Sequence, residues 1–157
     1  MFSFPAHLLV GAAIAYLFGF SMLWGALGGM APDLDYFTPW HRGPFHSFIF
    51  AAITGFFVYV LTRSEKKSLG FTAGFIAHVL ADWFNYEGVM LLWPFTGIFG
   101  LNCVGWDDPV ANTVLVILSV FLIIFLKKRR ENKGWLETIK NLPLIKHINT
   151  LKTKVNY

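Results

Sequence analysis

The sequence is poor in cysteine and in charged residues. Cys103 is the only cysteine among 157 residues, so a disulfide within the chain is excluded. Charged residues make up 14% of the chain, hydrophobic residues make up 55%, and the mean hydropathy is +0.55, which excludes a soluble domain of ordinary composition. No basic residue precedes the first apolar segment and no Ala-x-Ala pattern follows it, so we expect no cleaved signal peptide.

Two long uncharged runs indicate that the chain is embedded in a membrane. Residues 45–62 carry no ionisable side chain apart from a histidine near their start, and residues 110–126 carry none. Runs of about 17–25 apolar residues are long enough to cross a hydrocarbon core about 30 Å thick. The predicted fold class is therefore all-α: an integral membrane bundle of about five membrane-embedded helices.

Glycine and proline mark where the predicted helices begin and end. The segment FGFS at 18–21 interrupts an apolar stretch, so a short helical hairpin is predicted there in preference to one long helix. Pro32 ends the second helix, and Pro44 suits the first turn of the third. The segment 89–100, broken by a proline and two glycines, is predicted to be re-entrant or to lie on the surface. The predicted helices cover residues 4–18, 21–31, 44–62, 69–86 and 110–126.

The distribution of basic residues predicts the orientation of the chain. Of the 13 Lys and Arg residues, 12 lie within residues 63–67 or after residue 126, and Arg42 is the exception. The positive-inside rule makes that side cytoplasmic, in a multi-pass protein of the plasma (inner) membrane. Residues 1–130 are predicted to form the membrane-embedded domain. Residues 131–157 are predicted to form a basic amphipathic cytoplasmic tail on anionic lipid, a frayed tail being the alternative. The expected partner is the lipid bilayer, and no binding to nucleic acid is expected.

Aspartate and histidine gather at the predicted outer ends of these helices. His78 and Asp82 lie four residues apart on one helix face, in a row with Gly70 and Gly74 that favours close approach of another helix. Ionisable groups inside a membrane protein are costly and are therefore functional candidates, with a structural His–Asp pair as the alternative. The motif PDLD at 32–35 adds two carboxylates, for which a capping role competes with metal binding.

His7 and the segment HRGPFHS at 41–47 complete this group. One straight helix would separate His7 from Asp33 by about 39 Å, whereas a hairpin places both at the outer end. Nitrogen and carboxylate ligands without thiolate suit Zn²⁺, with Mn²⁺ and Fe²⁺ as alternatives, and so many candidates could hold one or two ions. Arg42 and the start of the third helix favour a phosphate oxyanion beside them. The candidate metal-site residues are His7, Asp33, Asp35, His41, His46, His78 and Asp82.

Several segments, in order, resemble the YdjM-like family of small inner-membrane proteins, which are described as metal-dependent hydrolases. They are His7, GALGGMAPDLD (25–35), HRGPFHS (41–47), HVLADWFNYEG (78–88) and LLWPF (91–95). That family is distantly similar to the zinc-dependent phospholipase C and P1 nuclease group, whose His and Asp ligands hold zinc ions that cleave phosphoesters. The resemblance implies that His41 and Arg42 act as catalytic residues that bind substrate or support the ligands. The metal ligands that it implies are His7, Asp33, Asp35, His46, His78 and Asp82.

The chain departs from the family pattern at four positions. Tyr36 stands where the family often has histidine, Phe45 replaces a usual threonine, and Asn85 and Glu87 change the stretch after HxxxD. None of these departures removes an implied ligand, but the first and the last bear on metal number and substrate fit.

The predicted function is that of a membrane-bound metal-dependent hydrolase. It is expected to act on a lipid-associated phosphoester through a metal-activated water. One alternative is a metal-ion transporter, although transport sites usually lie near the bilayer midplane and these residues gather at helix ends. The other alternative is a non-catalytic membrane scaffold that has a structural metal site with a closed ligand shell.

The charge distribution generates a test of sidedness. Single cysteines at Thr38 and Ser64, in a Cys103→Ser background, are exposed to an impermeant thiol reagent in intact cells. We expect the cysteine at 38 to react and the one at 64 to react only after permeabilisation, because basic segments stay in the cytoplasm. The reverse pattern would show that the topology is inverted.

Overall fold

A computed structural model describes residues 3–38 and 41–140 of the chain. This part of the chain is helical, with five α-helices and two short 3-10 helices. The α-helices are α1 (Ser3–Leu17), α2 (Met22–Met30), α3 (Phe48–Thr62), α4 (Glu65–Trp83) and α5 (Pro109–Lys140), and the 3-10 helices are Pro32–Phe37 and Pro44–His46. The chain divides into two units, of which the first ends at Ile123 and the second begins at Ile124. The predicted all-α class and the predicted number of helices are confirmed.

Helix boundaries differ from the predicted ones where local hydrogen bonds decide them. The third helix was predicted to begin at residue 44, but α3 begins at Phe48, because Ser47 caps it by accepting a hydrogen bond from the backbone N–H of Phe50 at 3.2 Å. The fourth helix begins at Glu65, not at residue 69, and ends at Trp83. The fifth continues from its apolar run through a basic segment to Lys140, since lysine and arginine are good helix formers.

One helix in the described part of the chain is long and apolar enough to cross a membrane, judged by length and composition. It covers Pro109–Trp135 within α5 and reaches a mean hydropathy of 2.6. Helices α1 and α3 are apolar but contain 15 residues each, and so extend about 22 Å against a hydrocarbon core of about 30 Å. Membrane embedding of the other four helices therefore stays a prediction. Residues 141–157, which hold most of the predicted amphipathic tail, lie outside the described residues.

The predicted hairpin between α1 and α2 is confirmed. The chain reverses at residues 18–21, where Gly19 adopts a φ of +80°, a conformation that costs glycine little. The backbone N–H of Ser21 then donates to the carbonyl of Lys66 at 3.1 Å, which ties the turn to the start of α4. His7 and Asp33 consequently lie at the same end of the bundle.

Glycines let α1, α2 and α4 approach one another to backbone contact. A Cβ atom added to Gly25 of α2 would overlap the carbonyl oxygen of Gly11 in α1, and one added to Gly74 of α4 would overlap the carbonyl oxygen of Gly25. One turn earlier in both helices, a Cβ on Gly70 would lie 2.7 Å from the carbonyl oxygen of Ser21. The predicted glycine row on α4 is therefore the surface on which α2 packs, and the two helices run parallel.

The segment between α4 and α5 folds back over the bundle without forming a helix. Two isolated backbone bridges, Asn85 with Val104 and Val89 with Phe99, close it into a loop. The backbone N–H of Phe48 donates to the carbonyl of Leu91 at 3.0 Å, so this loop also holds the start of α3. Its apolar residues join a small buried core made of Ala51, Phe75, Val79, Val89 and Leu91. Whether residues 89–100 enter a membrane stays a prediction.

The close glycine contact generates a stability prediction. Gly74→Ala should lower the free energy of unfolding by about 1–3 kcal/mol, because the new methyl group meets a rigid backbone carbonyl. Thermal unfolding in detergent measures the effect. The matched control is Gly97→Ala, since a Cβ there meets nothing within 4 Å. Equal melting temperatures for the two variants would show that α2 and α4 do not pack through Gly74.

Candidate metal centre

The candidate ligands lie at one end of the bundle because four elements end or begin there. His7 belongs to the first turns of α1, and the 3-10 helix after α2 carries Asp33 and Asp35. The 3-10 helix before α3 carries His46, and the last two turns of α4 carry His78 and Asp82. The antiparallel pairing of α1 with α2 and of α3 with α4 therefore brings together residues that are far apart in sequence.

Asp33, His46, His78 and Asp82 form a compact group that could hold a metal ion, with one ligand atom from each within 4.8 Å of the others. The two histidine Nε2 atoms lie 3.3 Å apart, and each lies 3.4 Å from Oδ2 of Asp82. Asp33 Oδ1 lies 3.5 Å from Nε2 of His78. Ligand atoms about 2.0–2.1 Å from a tetrahedral zinc are about 3.3–3.4 Å apart, so the residues present fit such an ion.

In His46 and His78, the hydrogen bond made by Nδ1 determines that Nε2 faces the metal-binding group. His78 Nδ1 lies 2.7 Å from the carbonyl oxygen of Gly29, and a carbonyl only accepts, so Nδ1 carries the proton. His46 Nδ1 lies 3.1 Å from Oδ2 of Asp35 and donates to that carboxylate. Both Nε2 atoms therefore face one another and the nearby carboxylates, and a metal ion that displaced a proton held there could be bound by all four groups.

Gly29 connects this arrangement to the helix packing. A Cβ on Gly29 would overlap the carbonyl oxygen of His7, so α1 touches α2 at this level. Positions 21 and 70, 25 and 74, and 29 and 78 are each separated by 49 residues, so the bond between His78 and Gly29 continues the parallel register of α2 and α4. The tautomer of His78 thus depends on the same close approach that the glycines allow.

Asp35, His41 and His46 form a second group that could hold a metal ion. His41 Nδ1 lies 2.6 Å from Oδ1 of Asp35, and the side chain of His41 is 31% exposed, while Asp35 is fully buried. Because His46 faces Asp35 through Nδ1 and the first group through Nε2, this second group lies directly behind the first. Asp35 therefore orients His46 and is itself held by His41.

His7 lies beside the first group but outside its four atoms. Its Nε2 is 3.5 Å from Oδ1 of Asp82, and its ring centroid is 3.9 Å from that of His78. Its Nδ1 is buried and has no hydrogen-bond partner within the described part of the chain. The predicted proximity of His7 to the other ligands is confirmed, and its role as a ligand stays a prediction.

Arg42 is buried beside the same carboxylates in a left-handed conformation, with φ +62°. Its Nε lies 2.8 Å from Oε2 of the half-exposed Glu87, and its Nη2 lies 3.8 Å from Oδ2 of Asp82. Nη1 has no hydrogen-bond partner among residues 3–38 and 41–140. Asn85 donates to Oδ1 of Asp82 at 2.8 Å, which leaves Oδ2 to face the histidines.

Burial and hydrogen bonding oppose each other at the groups in the two 3-10 helices. Burial lowers the pKa of His46, but hydrogen bonds to Asp35 and Asp82 outweigh it and raise that pKa to about 9. Burial raises the pKa of Asp33, and the nearby His78 opposes the rise only partly. Burial also raises the pKa of Asp35, but His46 and His41 outweigh it and bring it below its usual value. Without metal, His46 therefore holds a proton that a bound cation would displace.

A cavity of about 400 Å³ adjoins the metal-binding group. Asp33 is the only member of that group whose side chain is substantially exposed, at 23%, and it lines this cavity. Apolar walls come from Phe4, Leu34 and Trp106. The other ionisable residues that line it are His7, Tyr36, His41, Arg42, Asp82 and Glu87. The cavity can therefore admit a ligand that has both a polar and an apolar part.

Sequence reasoning named every ionisable residue of the two metal-binding groups but missed their supporting contacts. The Gly29 carbonyl and the Asn85 amide were not predicted to take part, and neither was the ion pair between Arg42 and Glu87. The spacing of Asn85, three residues after Asp82, is a signal that could have been used, since both residues fall on one face of the predicted helix 69–86. The contact with the Gly29 carbonyl depends on the backbone of another helix, which no side-chain pattern shows.

The profile of the YdjM inner membrane protein family matches residues 1–145. The chain therefore belongs to the YdjM inner membrane protein family, and the resemblance inferred from its motifs is confirmed. No curated protein and no solved structure matches the chain. The distant similarity to the phospholipase C and P1 nuclease group stays a prediction.

The geometry of the first group generates a metal-content prediction. His46→Ala and His78→Ala should each lose bound zinc, since each removes one of two nitrogen ligands. Asp35→Asn should weaken zinc affinity about 10- to 100-fold, because it disturbs the orientation of His46 without removing a ligand. Mass-spectrometric metal analysis and competition with a chelator measure both effects.

The control for this experiment is Asp107→Asn, which changes an exposed carboxylate outside both groups. Circular dichroism confirms that each variant keeps its helical content. Zinc stoichiometry equal to that of the unmodified protein in both histidine variants would contradict the assignment.

Proposed function

We propose that this member of the YdjM family is a metal-dependent hydrolase that acts on a lipid-associated phosphoester. The observation that supports the proposal most is that one ligand atom from each of Asp33, His46, His78 and Asp82 lies within 4.8 Å of the others, with four of the separations at 3.3–3.5 Å. Four acceptors at this spacing suit one tetrahedral zinc. His46 belongs to both groups. One ion bound by the first group would therefore account for both, since Asp35 would orient His46 and His41 would hold Asp35.

A divalent ion in this group would lower the pKa of a bound water and polarise a phosphoryl oxygen. The protein residues orient the substrate relative to the ion. Asp33 is the most exposed member of the group and lines the cavity, so a substrate approaches from its side. Asp82 is held by Asn85 on one oxygen and faces both histidines with the other. The rigid part of the group is therefore buried, and its accessible part faces the substrate.

Arg42 is the proposed binding residue for an anionic substrate oxygen. It lines the cavity, it is buried, and its Nη1 has no hydrogen-bond partner within the described part of the chain. A planar guanidinium suits a phosphate better than a neutral carboxylic ester, because it binds two oxygens at once. Glu87, 2.8 Å from Nε, orients this side chain from the solvent side. These contacts favour phosphoester cleavage over ester cleavage.

A structural metal site in a non-catalytic membrane protein is the second candidate function. The observation that favours it is the number of protein ligands, since four fill a tetrahedral site and catalytic zinc usually keeps one position for water. A hydrolase in this fold would need Asp33 to yield its position or the ion to accept a fifth ligand. The metal-ion transporter stays an untested alternative.

A substrate panel separates these functions. The full-length, zinc-loaded protein in lipid nanodiscs is assayed with p-nitrophenyl phosphate, bis-p-nitrophenyl phosphate, p-nitrophenyl acetate and phosphatidic acid. We expect at least one phosphoester to be cleaved and the acetate to be left intact. Arg42→Lys should raise KM for the phosphoester about 10- to 100-fold, the range expected for a lost hydrogen bond between charged groups.

Arg63→Lys is the matched control, because Arg63 is exposed and has a similar left-handed backbone, with φ +51°. It should leave KM unchanged. One zinc per chain, together with no cleavage of any substrate above the level of the His78→Ala variant, would contradict the hydrolase and support the structural site. In that case removal of zinc should still lower the melting temperature.

A further inference from the structure

A second cavity, of about 390 Å³, adjoins the first at His7 and Asp82. Its walls are mainly apolar and include Phe84, Val104 and Leu115. Nothing in the metal chemistry proposed above uses this space. Its size is similar to that of the first cavity, so it can hold a sizeable part of a ligand.

The two cavities meet at shared residues. His7, Asp82 and Trp106 line both of them. The two cavities are therefore neighbours, and a ligand that occupied both would place its polar end near Arg42 and its apolar end in the second cavity. The polar and apolar parts of the two cavities match the two parts of an amphiphile.

The first turns of α5 form one wall of the second cavity, through Ala111, Val114 and Leu115. This helix is the candidate membrane span, and only 17% of its most apolar window is buried within the protein. Its exposed surface would be in contact with lipid tails in a membrane. Val114 and Phe84, which line the cavity, are each 47% exposed, so the cavity reaches the surface beside this helix. In a membrane crossed by α5, lipid would therefore meet the opening of this cavity.

We propose that the second cavity binds one acyl chain of a membrane phospholipid, whose phosphate then lies in the first cavity. The proposal extends the proposed function, because it identifies the substrate class as a two-part lipid that enters beside α5. The apolar lining stabilises the chain by removing it from water, at a gain that grows with each buried methylene. Trp106, which lines both cavities, lies at the boundary between the chain and the headgroup, where tryptophan is commonly found.

Photocrosslinking tests this assignment without requiring catalysis. The full-length protein is placed in phosphatidylethanolamine vesicles that contain a phosphatidylglycerol with a diazirine in the middle of one acyl chain. After irradiation, mass spectrometry locates the attached lipid. We expect attachment within residues 103–115. Val114→Trp should lower this attachment roughly tenfold, the change in affinity that follows when about two methylenes are displaced from an apolar site.

The matched control is Val120→Trp, the same substitution on an exposed position of α5 that does not line the cavity. It should crosslink as the unmodified protein does. Equal crosslinking of the two variants, or attachment spread evenly along α5, would overturn the proposal, because the lipid would then be general solvent for the helix.

Cys103 provides a second test on protein that has already folded. It lines the second cavity and is the only cysteine, so N-phenylmaleimide modifies this position alone. Treatment with N-phenylmaleimide should reduce lipid attachment in the protein that carries Cys103. The same treatment should have no effect on lipid attachment in the Cys103→Ser variant. Unchanged attachment after complete modification would contradict the assignment.

The activity assay distinguishes failure of this proposal from failure of the proposed function. If the protein is a hydrolase, Val114→Trp should raise KM for dioleoyl phosphatidic acid, and Val120→Trp should leave that KM unchanged. Crosslinking within residues 103–115 without any hydrolysis would support the lipid site and reject the hydrolase. Hydrolysis of a phosphoester, together with equal crosslinking in Val114→Trp and Val120→Trp, would support the hydrolase and reject the lipid site.

Discussion

The close packing of α2 between α1 and α4 is the constraint on which the rest of the first unit depends. Glycines at 11, 25 and 74 allow the main chains of the three helices to come into contact. This fixes the level of Gly29, whose carbonyl accepts from His78 at 2.7 Å. A larger residue in this stack would separate the helices and move the histidine away from the other ligands.

The position of the metal-binding group follows from that packing, and the group places several hydrogen-bond acceptors close together in a buried site. His78 is oriented by a backbone carbonyl and His46 by a carboxylate. The Nε2 atom of His78 therefore faces Asp33 and Asp82, and that of His46 faces Asp82. Acceptors gathered in a buried place are unfavourable unless a positive charge lies among them. A proton on His46 offsets part of the negative charge of these carboxylates, and a divalent ion would offset more of it. The folded chain therefore gathers groups that could bind a metal ion, and the identity of that ion stays a prediction.

Several features were correctly predicted because they depend on residues near one another in sequence. The hairpin at Gly19, the glycine row before His78 and the four-residue spacing to Asp82 are local patterns. Helix boundaries were less accurate, since Ser47 moved the start of α3 through a cap that competes with Pro44 as a starting point. The membrane embedding of α1 to α4 stays a prediction, because α5 alone among the described helices is long and apolar enough to cross a bilayer by itself.

The sequence by itself determined the ligand chemistry, namely imidazole and carboxylate without thiolate, and it determined membership of a membrane protein family through an ordered set of motifs. Only the tertiary structure decided how these groups divide. It grouped His46 and His78 with Asp33 and Asp82, placed Asp35 and His41 behind them, and left His7 beside them. The physical reason is that coordination depends on distances of a few ångströms between atoms on different helices. Those distances are set by backbone packing, which residue identity and spacing do not specify.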